Sequence, residues 1–400
     1  MSMEKTALLL CASHNDLGLI RALRKLGYYI VATGNIPGLS GEKFVDEYIQ
    51  ADYSDKELIL HIAEEHKIDV ICQCCNDFGV YTASYVAEKL GLPGYDPYET
   101  TLLLHNKDRF KKFAQEHKLM TLKSYSFTTA DSALEWINSA RFPLIIKPTD
   151  ASAGNGIMRI DSYDEAKEAV EFAFSKSRSK KIVVERFLSG SQHGFCTFLV
   201  NQKVVACSSN NEYSFLNPYR VEIDTFPADN YAIVEKTLVD QIEKIASILK
   251  LRDGIFHLQY IMDGDKPQII EVMRRILGNM YSVPANLLNG IDWDYWETRA
   301  KCGLSCADFP QKTGQEGFYA YKTILAERNG QIQSIQIPPK YNKFLIGQFL
   351  LKKVGEPIEN HKSEPVGFLF FLFSSMEQMR QVLIEEYDNS IVVMKEELSG

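Results

Sequence analysis

Two stretches of this chain set charged side chains against backbone that could present them to a ligand. In "PLIIKPTDASAGNGIMRI", residues 143 to 160, Lys147 closes an apolar run and a small-residue loop follows, Asp150 to Gly156. This reverses a P-loop, whose glycines precede a Gly-Lys-Ser/Thr and whose lysine opens a helix. In "QIIEVMRRILGN", Glu271, Arg274 and Arg275 follow apolar strand residues. If that strand pairs with "IFHLQYIMDGD" across a turn at Asp263 and Gly264, Gln259 and Glu271 point to one face as oxygen ligands. Such a set, with one or two carboxylates completed by substrate phosphates, is what Mg²⁺ prefers. An adjacent arginine offers a planar fork for a phosphate or a carboxylate. "HNKDRFK", with Lys107, and "IVVERFLSG", Glu185 to Gly190, complete four features in a fixed order. Each alone has an ordinary explanation as a solvated lysine, a turn or an exposed strand face; their combination and order carry the reading.

The elements around them alternate between two periods. "TALLLCA", "YIVATG" and "IDVICQCC" read as strands, while "DLGLIRALRKLGY", "KELILHIAEEHK" and "FGVYTASYVAEKLG" carry apolar residues at helical spacing. Strands alternating with helices of this length imply parallel βαβ units in a doubly wound, Rossmann-like sheet. The first strand-to-helix turn, "CASHNDLG", lacks the G-x-G-x-x-G that a bound dinucleotide requires, so the domain is expected as a scaffold or a substrate wall. From "DPYETTLLLHNKDRFKKFAQEHKL" the chain is expected helical, then strands return at "KSYSF" and "PLIIKP" around the helix "ADSALEWINSA", with Asp131 and Ser132 as candidate caps. "GFCTFLVNQKVVACSS" reads as a hairpin turning at Asn201 and Gln202, and "YAIVEKTLVDQIEKIASILKL" as a long helix. The last ninety or so residues suggest a small α+β cap.

The chain has 400 residues, 45% hydrophobic and 24% charged, enough for two or three domains that each bury a core. Its 52 acidic and 44 basic residues leave a net charge of -8, and no basic block stands out to neutralise a phosphate backbone; nucleic acid is not expected as a partner. No apolar run reaches the roughly 18 residues of a membrane span, and the N-terminal apolar stretch is too short for a secretory signal, so a cytoplasmic protein is expected. The eight cysteines, including Cys72, Cys74 and Cys75, match no zinc spacing and read as buried thiols.

Taken in order, "NKDRF", "IIKPTDASAGNGI", "VVERFLSG" and "FHLQYI...QIIEVMRR" resemble the ATP-grasp superfamily, most nearly its carbamoyl-phosphate-synthase-like and biotin-carboxylase-like branch, from about residue 5 to 300. The resemblance implies an α/β and α+β architecture: a Rossmann-like domain over 1–98, an ATP-grasp domain of two α+β subdomains over 99–310 with a lid at about 123–188, and a small C-terminal domain over 311–400. It implies that Lys107 and Lys147 contact ATP phosphates, and that Ser152, Gly154 and Gly156 belong to a lid over the triphosphate. Glycine and small residues suit that task because backbone N–H groups can approach phosphate oxygens. Glu185 would take the adenine amino group, the backbone of Arg186 and Leu188 the hinge, and Gln192 would join the nucleotide site. Gln259 and Glu271 fall at the metal positions, for Mg²⁺ or for Mn²⁺ in its place. Arg275, with Arg274 beside it, falls where an arginine stabilises the transferred phosphoryl group.

Three departures stand out. Met273 replaces the asparagine of the usual Glu-x-Asn-x-Arg, Gln259 replaces a glutamate, and Asn155 replaces a loop lysine. The implied activity is ATP-dependent activation of a small-molecule carboxylate as an acyl phosphate, captured by an amine or another nucleophile. An ATP-binding protein without ligase activity and an ATP-grasp phosphotransferase stay open. Asn279, Tyr281 and Arg220 are candidate substrate residues; no membrane partner is expected, and assembly as a homodimer is compatible with the resemblance.

Overall fold

The computed structural model describes residues 5–151, 154–310 and 316–395. Four parallel strands, β1 (Thr6–Leu10), β2 (Tyr29–Gly34), β3 (Glu47–Gln50) and β4 (Val70–Cys72), form the N-terminal sheet in the order β3-β2-β1-β4. The central strand β1 is apolar and almost wholly buried, as a parallel strand covered on both faces must be. Helices α1 (Leu17–Lys25) and α2 (Lys56–Glu65) connect strands of this sheet, and α3 (Asp77–Leu90) follows β4. In the first turn, where a dinucleotide fold would spend glycines, Ser13 and Asp16 cap reciprocally: Ser13 Oγ accepts from Asn15 N (3.3 Å), and Asp16 accepts from Ser13 N (3.0 Å). Strand β3, short and at the sheet edge, carries no strong pattern and lies outside the sequence expectation.

The helical run expected after residue 96 is two helices, α4 (Tyr98–His105) and α5 (Lys107–Glu116), because Asn106 is extended (φ -95°, ψ 119°). The break opens α5 at Lys107, whose N–H donates to Thr149 O (3.2 Å). The segment expected as a lid follows: β5 (Ser124–Phe127), α6 (Ala130–Asn138), β6 (Leu144–Pro148), β7 (Met158–Ile160), α7 (Ala166–Lys176) and β8 (Ile182–Arg186), with an antiparallel sheet in the order β5-β8-β6-β7. The cap of α6 is Thr129, which accepts from Ser132 N, rather than Asp131 or Ser132.

The largest element is an eight-stranded antiparallel sheet. Its members are β9 (Gln192–Val200), β10 (Lys203–Tyr213), β11 (Ile223–Phe226), β12 (Gly254–Asp263), β13 (Lys266–Met273), β14 (Phe318–Ile324), β16 (Leu345–Leu350) and β18 (Gly367–Phe373), in the order β13-β12-β9-β10-β11-β14-β18-β16. The β9–β10 hairpin turns at Asn201 and Gln202, both at positive φ as its two-residue turn demands. The segment expected as a cap therefore continues this sheet through β14, β18 and β16. A further three-stranded sheet of β15 (Gly330–Ile335), β17 (Pro357–Ile358) and β19 (Val392–Met394), with α11 (Met376–Arg380), stands beyond it.

One face of β9 and β12 is covered by helix α8 (Tyr231–Leu249), through Val234, Leu238, Ile242 and Ile245 against Phe195, Leu199, Phe256 and Leu258. On the other face Phe198 packs on Trp296 and Phe309, beside helices α9 (Ser282–Asn289) and α10 (Trp293–Lys301) and the N-terminal domain. Gly190, between β8 and β9, is required by packing: a Cβ there would lie 1.6 Å from Met262 O. No helix among the described residues is long and apolar enough to cross a membrane.

Arg274 belongs to this framework and not to a reacting centre. Its side chain is 2% exposed, with Nε on Asp96 (2.9 Å) and the guanidinium on the carbonyl oxygens of Ile255 (2.6 Å) and Arg252 (2.6 Å). Every donor so engaged is lost to a substrate. Arg274→Ala strands Asp96 as an unpaired buried carboxylate and should cost about 3–5 kcal/mol of stability, read by urea unfolding.

Candidate functional site

A cleft of about 440 Å³ opens where the N-terminal domain, the lid and the eight-stranded sheet meet. Cross-strand register explains its floor. Ile261 on β12 faces Gln192 on β9, Gln192 faces Glu212 on β10, Glu212 faces Asp224 on β11, and Asp224 faces Tyr321 on β14. All five line the cleft. Residues directly opposite in antiparallel strands share a face, so pairing alone lays out this row. It runs from an apolar end, where Ile145, Ile157 and Ile270 join Ile261, to a polar end at Tyr321.

The expected hairpin geometry is realised. Gln259 and Glu271 sit directly opposite each other, and an irregularity in register beside them leaves Ile270 as an extra residue on β13. Glu271 accepts from Lys107 Nζ (3.0 Å), and Lys107 also donates to Ala151 O in the lid (2.9 Å). Burial opposes the charge on Lys107, but Glu271 outweighs it and raises its pKa. Gly154 turns the lid at φ +73°, and a Cβ there would meet Tyr219 O at 2.3 Å. Gly156 is also left-handed (φ +79°); Ser152 lies outside the described residues.

Lys147 reaches the cleft, but Glu185 does not. Glu185 lies 2% exposed beneath it, with Oε2 on Lys147 Nζ (3.1 Å) and Oε1 on Lys111 Nζ (3.4 Å). Burial alone would raise this carboxyl; Lys111 and Lys147 together hold it down at about 2. Both oxygens are thus committed to lysines, Oε2 aiming Lys147 and Oε1 meeting Lys111, which corrects the expectation that this side chain takes the adenine amino group. Lys111, one helical turn after Lys107, was legible only as a repeat of lysine at i+4. Arg186 turns outward to Asp263 (2.6 Å), Leu188 is buried, and neither lines the cleft.

Arg275 lines the cleft and is held from below. Its Nε donates to Asp77 Oδ1 (2.7 Å), and Asp77 also meets His105 Nδ1 (3.1 Å). His105 Nε2 accepts from Arg274 N (3.1 Å), which sets the tautomer: the Nδ1 proton faces Asp77. Burial would raise Asp77, yet Arg275 and His105 depress it far below the carboxylate range. Met273, in the place of an asparagine, is nearly buried and lines the same wall.

Two carboxylates that the sequence reading passed over lie at the centre. Glu212 accepts from Gln192 Nε2 (2.6 Å) and Gln259 Nε2 (2.8 Å). Its burial, with Glu271 nearby, raises it to about 7. Asp224, 3% exposed, is pushed well up by burial and by Glu212. The sequence signal for Glu212 was a run of polar residues, "SSNNEY", inside a strand; Asp224, in "VEIDTF", had none. At the polar end Asn279 (φ +56°) bonds Tyr321 Oη (3.3 Å), Tyr281 is 4% exposed and donates to Asn210 Oδ1 (3.1 Å), and Arg220 lines the wall.

The donor set at Glu212, Gln259 and Glu271 fits a hard cation. All three offer oxygen, and Glu212 has no cationic partner among the described residues. Among the described residues no group of three His, Cys, Asp or Glu could hold a metal ion.

Residues 105–218 match the family model of the phosphoribosylglycinamide synthetase ATP-grasp (A) domain. The chain is 24% identical over 271 residues to phosphoribosylamine–glycine ligase of Pyrococcus furiosus, covering 62% of this chain and 60% of that one. It thus spans about three fifths of that relative's length. Among solved structures, an L-amino acid ligase from Bacillus licheniformis superposes with a TM-score of 0.81 at 18% identity, covering 99% of this chain and 100% of that one. N5-carboxyaminoimidazole synthetase from Staphylococcus aureus, complexed with ADP, gives 0.75 at 16% identity over 96% and 97%.

The Glu185 cluster generates a pH prediction. Its folded pKa, about 2, lies below the ordinary value of 4.5, so the cluster stabilises the fold fully above pH 4.5 and loses this as pH falls toward 2. Glu185→Gln should be destabilised at pH 7, and its gap from the parent protein should narrow across that window in urea unfolding at stepped pH.

Proposed function

We infer that the chain is an ATP-grasp enzyme, an ATP-dependent ligase joining a small-molecule carboxylate to an amine or a similar nucleophile with release of ADP and phosphate. The match of residues 105–218 to an ATP-grasp domain supports this reading. The observation that carries this reading is the convergence of Lys107, Lys147, Gln259, Glu271 and Arg275 on one cleft.

In this reading the isoleucines of the lid and of β12 and β13 sandwich the adenine, and Lys147, aimed by Glu185, meets the phosphates. Lys107 leaves Glu271 for the phosphates when nucleotide enters, which frees Glu271. Glu212, Gln259 and Glu271 would hold Mg²⁺, whose chemistry is to neutralise the β- and γ-phosphate oxygens. A carboxylate oxygen of the substrate attacks the γ-phosphorus while the bond to the bridging oxygen breaks, and ADP departs. Arg275, fixed by Asp77, faces the charge that grows on the transferred group. The amine nitrogen then attacks the carbonyl carbon of the acyl phosphate, inorganic phosphate leaves and the nitrogen loses a proton. Positioning and charge account for the catalysis, so no acid–base dyad is needed.

The test is ADP release from ATP and Mg²⁺ with panels of carboxylic acids and amines, and mass spectrometry of the products. The expected product is a condensed amide without phosphate; a product retaining phosphate, or nucleotide binding without turnover, would contradict the ligase reading. Lys147→Ala should weaken ATP binding more than any single change in the loop after it, as read by calorimetry. Asp77→Asn should lower kcat about a hundred-fold by releasing Arg275, with nucleotide affinity nearly unchanged.

A further inference from the structure

Most buried charge in this molecule is neutralised from within. Glu185, Asp77 and Asp96 each have a cationic partner at hydrogen-bond distance. Three Asp, Glu, Lys or Arg side chains of the cleft do not: Glu212, which the amides of Gln192 and Gln259 satisfy, and Asp224 and Arg220. Asp224 makes no ion pair among the described residues; Tyr321 and Asn210 supply it hydrogen bonds, and Oδ1 has no partner although the residue is 3% exposed. Arg220, four residues earlier and partly buried, likewise makes no ion pair among the described residues, and its side chain lines the same cleft.

Both sit at the end of the cross-strand row away from the isoleucines. Asp224 is flanked by Glu212 on one side and Tyr321 on the other, with Tyr281 and Asn279 also lining this end. A buried carboxylate oxygen without a donor is costly unless a ligand completes it. An ammonium group completes it well, because it brings both positive charge and donors, and phenol rings beside it add attraction from their faces. The guanidinium of Arg220 has the opposite need, a planar anion. A single small molecule that carries an ammonium and a carboxylate meets both.

We propose that the polar end of the cleft is an amino-acid subsite, in which Asp224 receives the substrate's ammonium and Arg220 its carboxylate. This rests on the ligase reading and narrows its substrate class: one of the two molecules joined is a free α-amino acid, and Asp224 is the residue that selects for its unmodified amino group.

The test uses the full chain with Mg²⁺ and a non-hydrolysable ATP analogue. Calorimetry first measures analogue binding to the parent protein and to Asp224→Asn; similar affinities are expected and show that the variant is folded. Failure of the parent protein to bind the analogue would overturn the nucleotide reading itself. The twenty common amino acids are then titrated into the analogue-saturated proteins. At least one should bind the parent protein, its N-acetyl and 2-hydroxy counterparts should not, and Asp224→Asn should weaken it by about ten- to a hundred-fold. Arg220→Gln should weaken the same ligand, and Tyr321→Phe serves as a second probe of the ammonium end. The proposal is overturned if no amino acid binds while the analogue does, if the N-acetyl form binds equally well, or if Asp224→Asn alters the Mg²⁺ requirement and leaves amino-acid affinity untouched.

Discussion

The pleat of one antiparallel sheet governs where everything else in this protein can stand. Five side chains from five adjacent strands, Ile261, Gln192, Glu212, Asp224 and Tyr321, form a single row because their residues are directly opposed. A slip of one residue on any strand would turn its member toward the face that α8 covers in the region of β9 and β12. Register is therefore under strong constraint. The left-handed turn at Asn201 and Gln202 helps to set it between β9 and β10, and the extra residue Ile270 sets it locally between β12 and β13. The row grades from apolar to amide to carboxylate to phenol. In the proposed function the nucleotide base, the phosphates and the second substrate follow the same gradient.

Charge burial supplies a second level of organisation. Where a buried ion has an internal partner its task is mechanical: Arg274 ties Asp96 to three backbone carbonyls, Glu185 orients Lys147, and Asp77 joins the start of α3 to Arg275. Breaking such pairs is costly because the remaining charge stays buried. Where a charge lacks a partner, as at Asp224, or is crowded by a like charge, as at Glu212, the carboxyl pKa is pushed upward and its place in the cleft makes the group a candidate for a compensating ligand. The distinction between Arg274 and Arg275 shows how sharp this division is. They are adjacent in sequence, yet one is fully committed to the framework and the other lines the cleft.

Much of this was legible before any coordinates. The alternation of strand and helix periods in the first hundred residues corresponds to the N-terminal parallel sheet, and the pairing of Gln259 with Glu271 was implicit in a hairpin turning at Asp263 and Gly264. The hidden parts depend on distant chain. That Glu185 faces two lysines and not a ligand follows from the packing of β8 over α5, which no local pattern announces. Glu212 and Asp224 are distinguished only by the register of β10 with β11. Asn106 breaks a run that is helical on both sides, and the extended conformation that opens α5 at Lys107 is stabilised by a contact with Thr149. Strands β17 and β19 are too short to show an alternation, and the continuity of β11 with β14 spans some ninety intervening residues.

The central claim is that a phosphoryl group passes from ATP to a substrate carboxylate in this cleft. An isotope experiment tests it most directly: every carboxylic acid and amino acid that turnover requires, labelled with ¹⁸O in both carboxylate oxygens and turned over with ATP and Mg²⁺ in unlabelled water, with the released phosphate weighed by mass spectrometry. Transfer through an acyl phosphate leaves one labelled oxygen in each phosphate formed with product. Phosphate that carries no label, released in step with ADP, would contradict it.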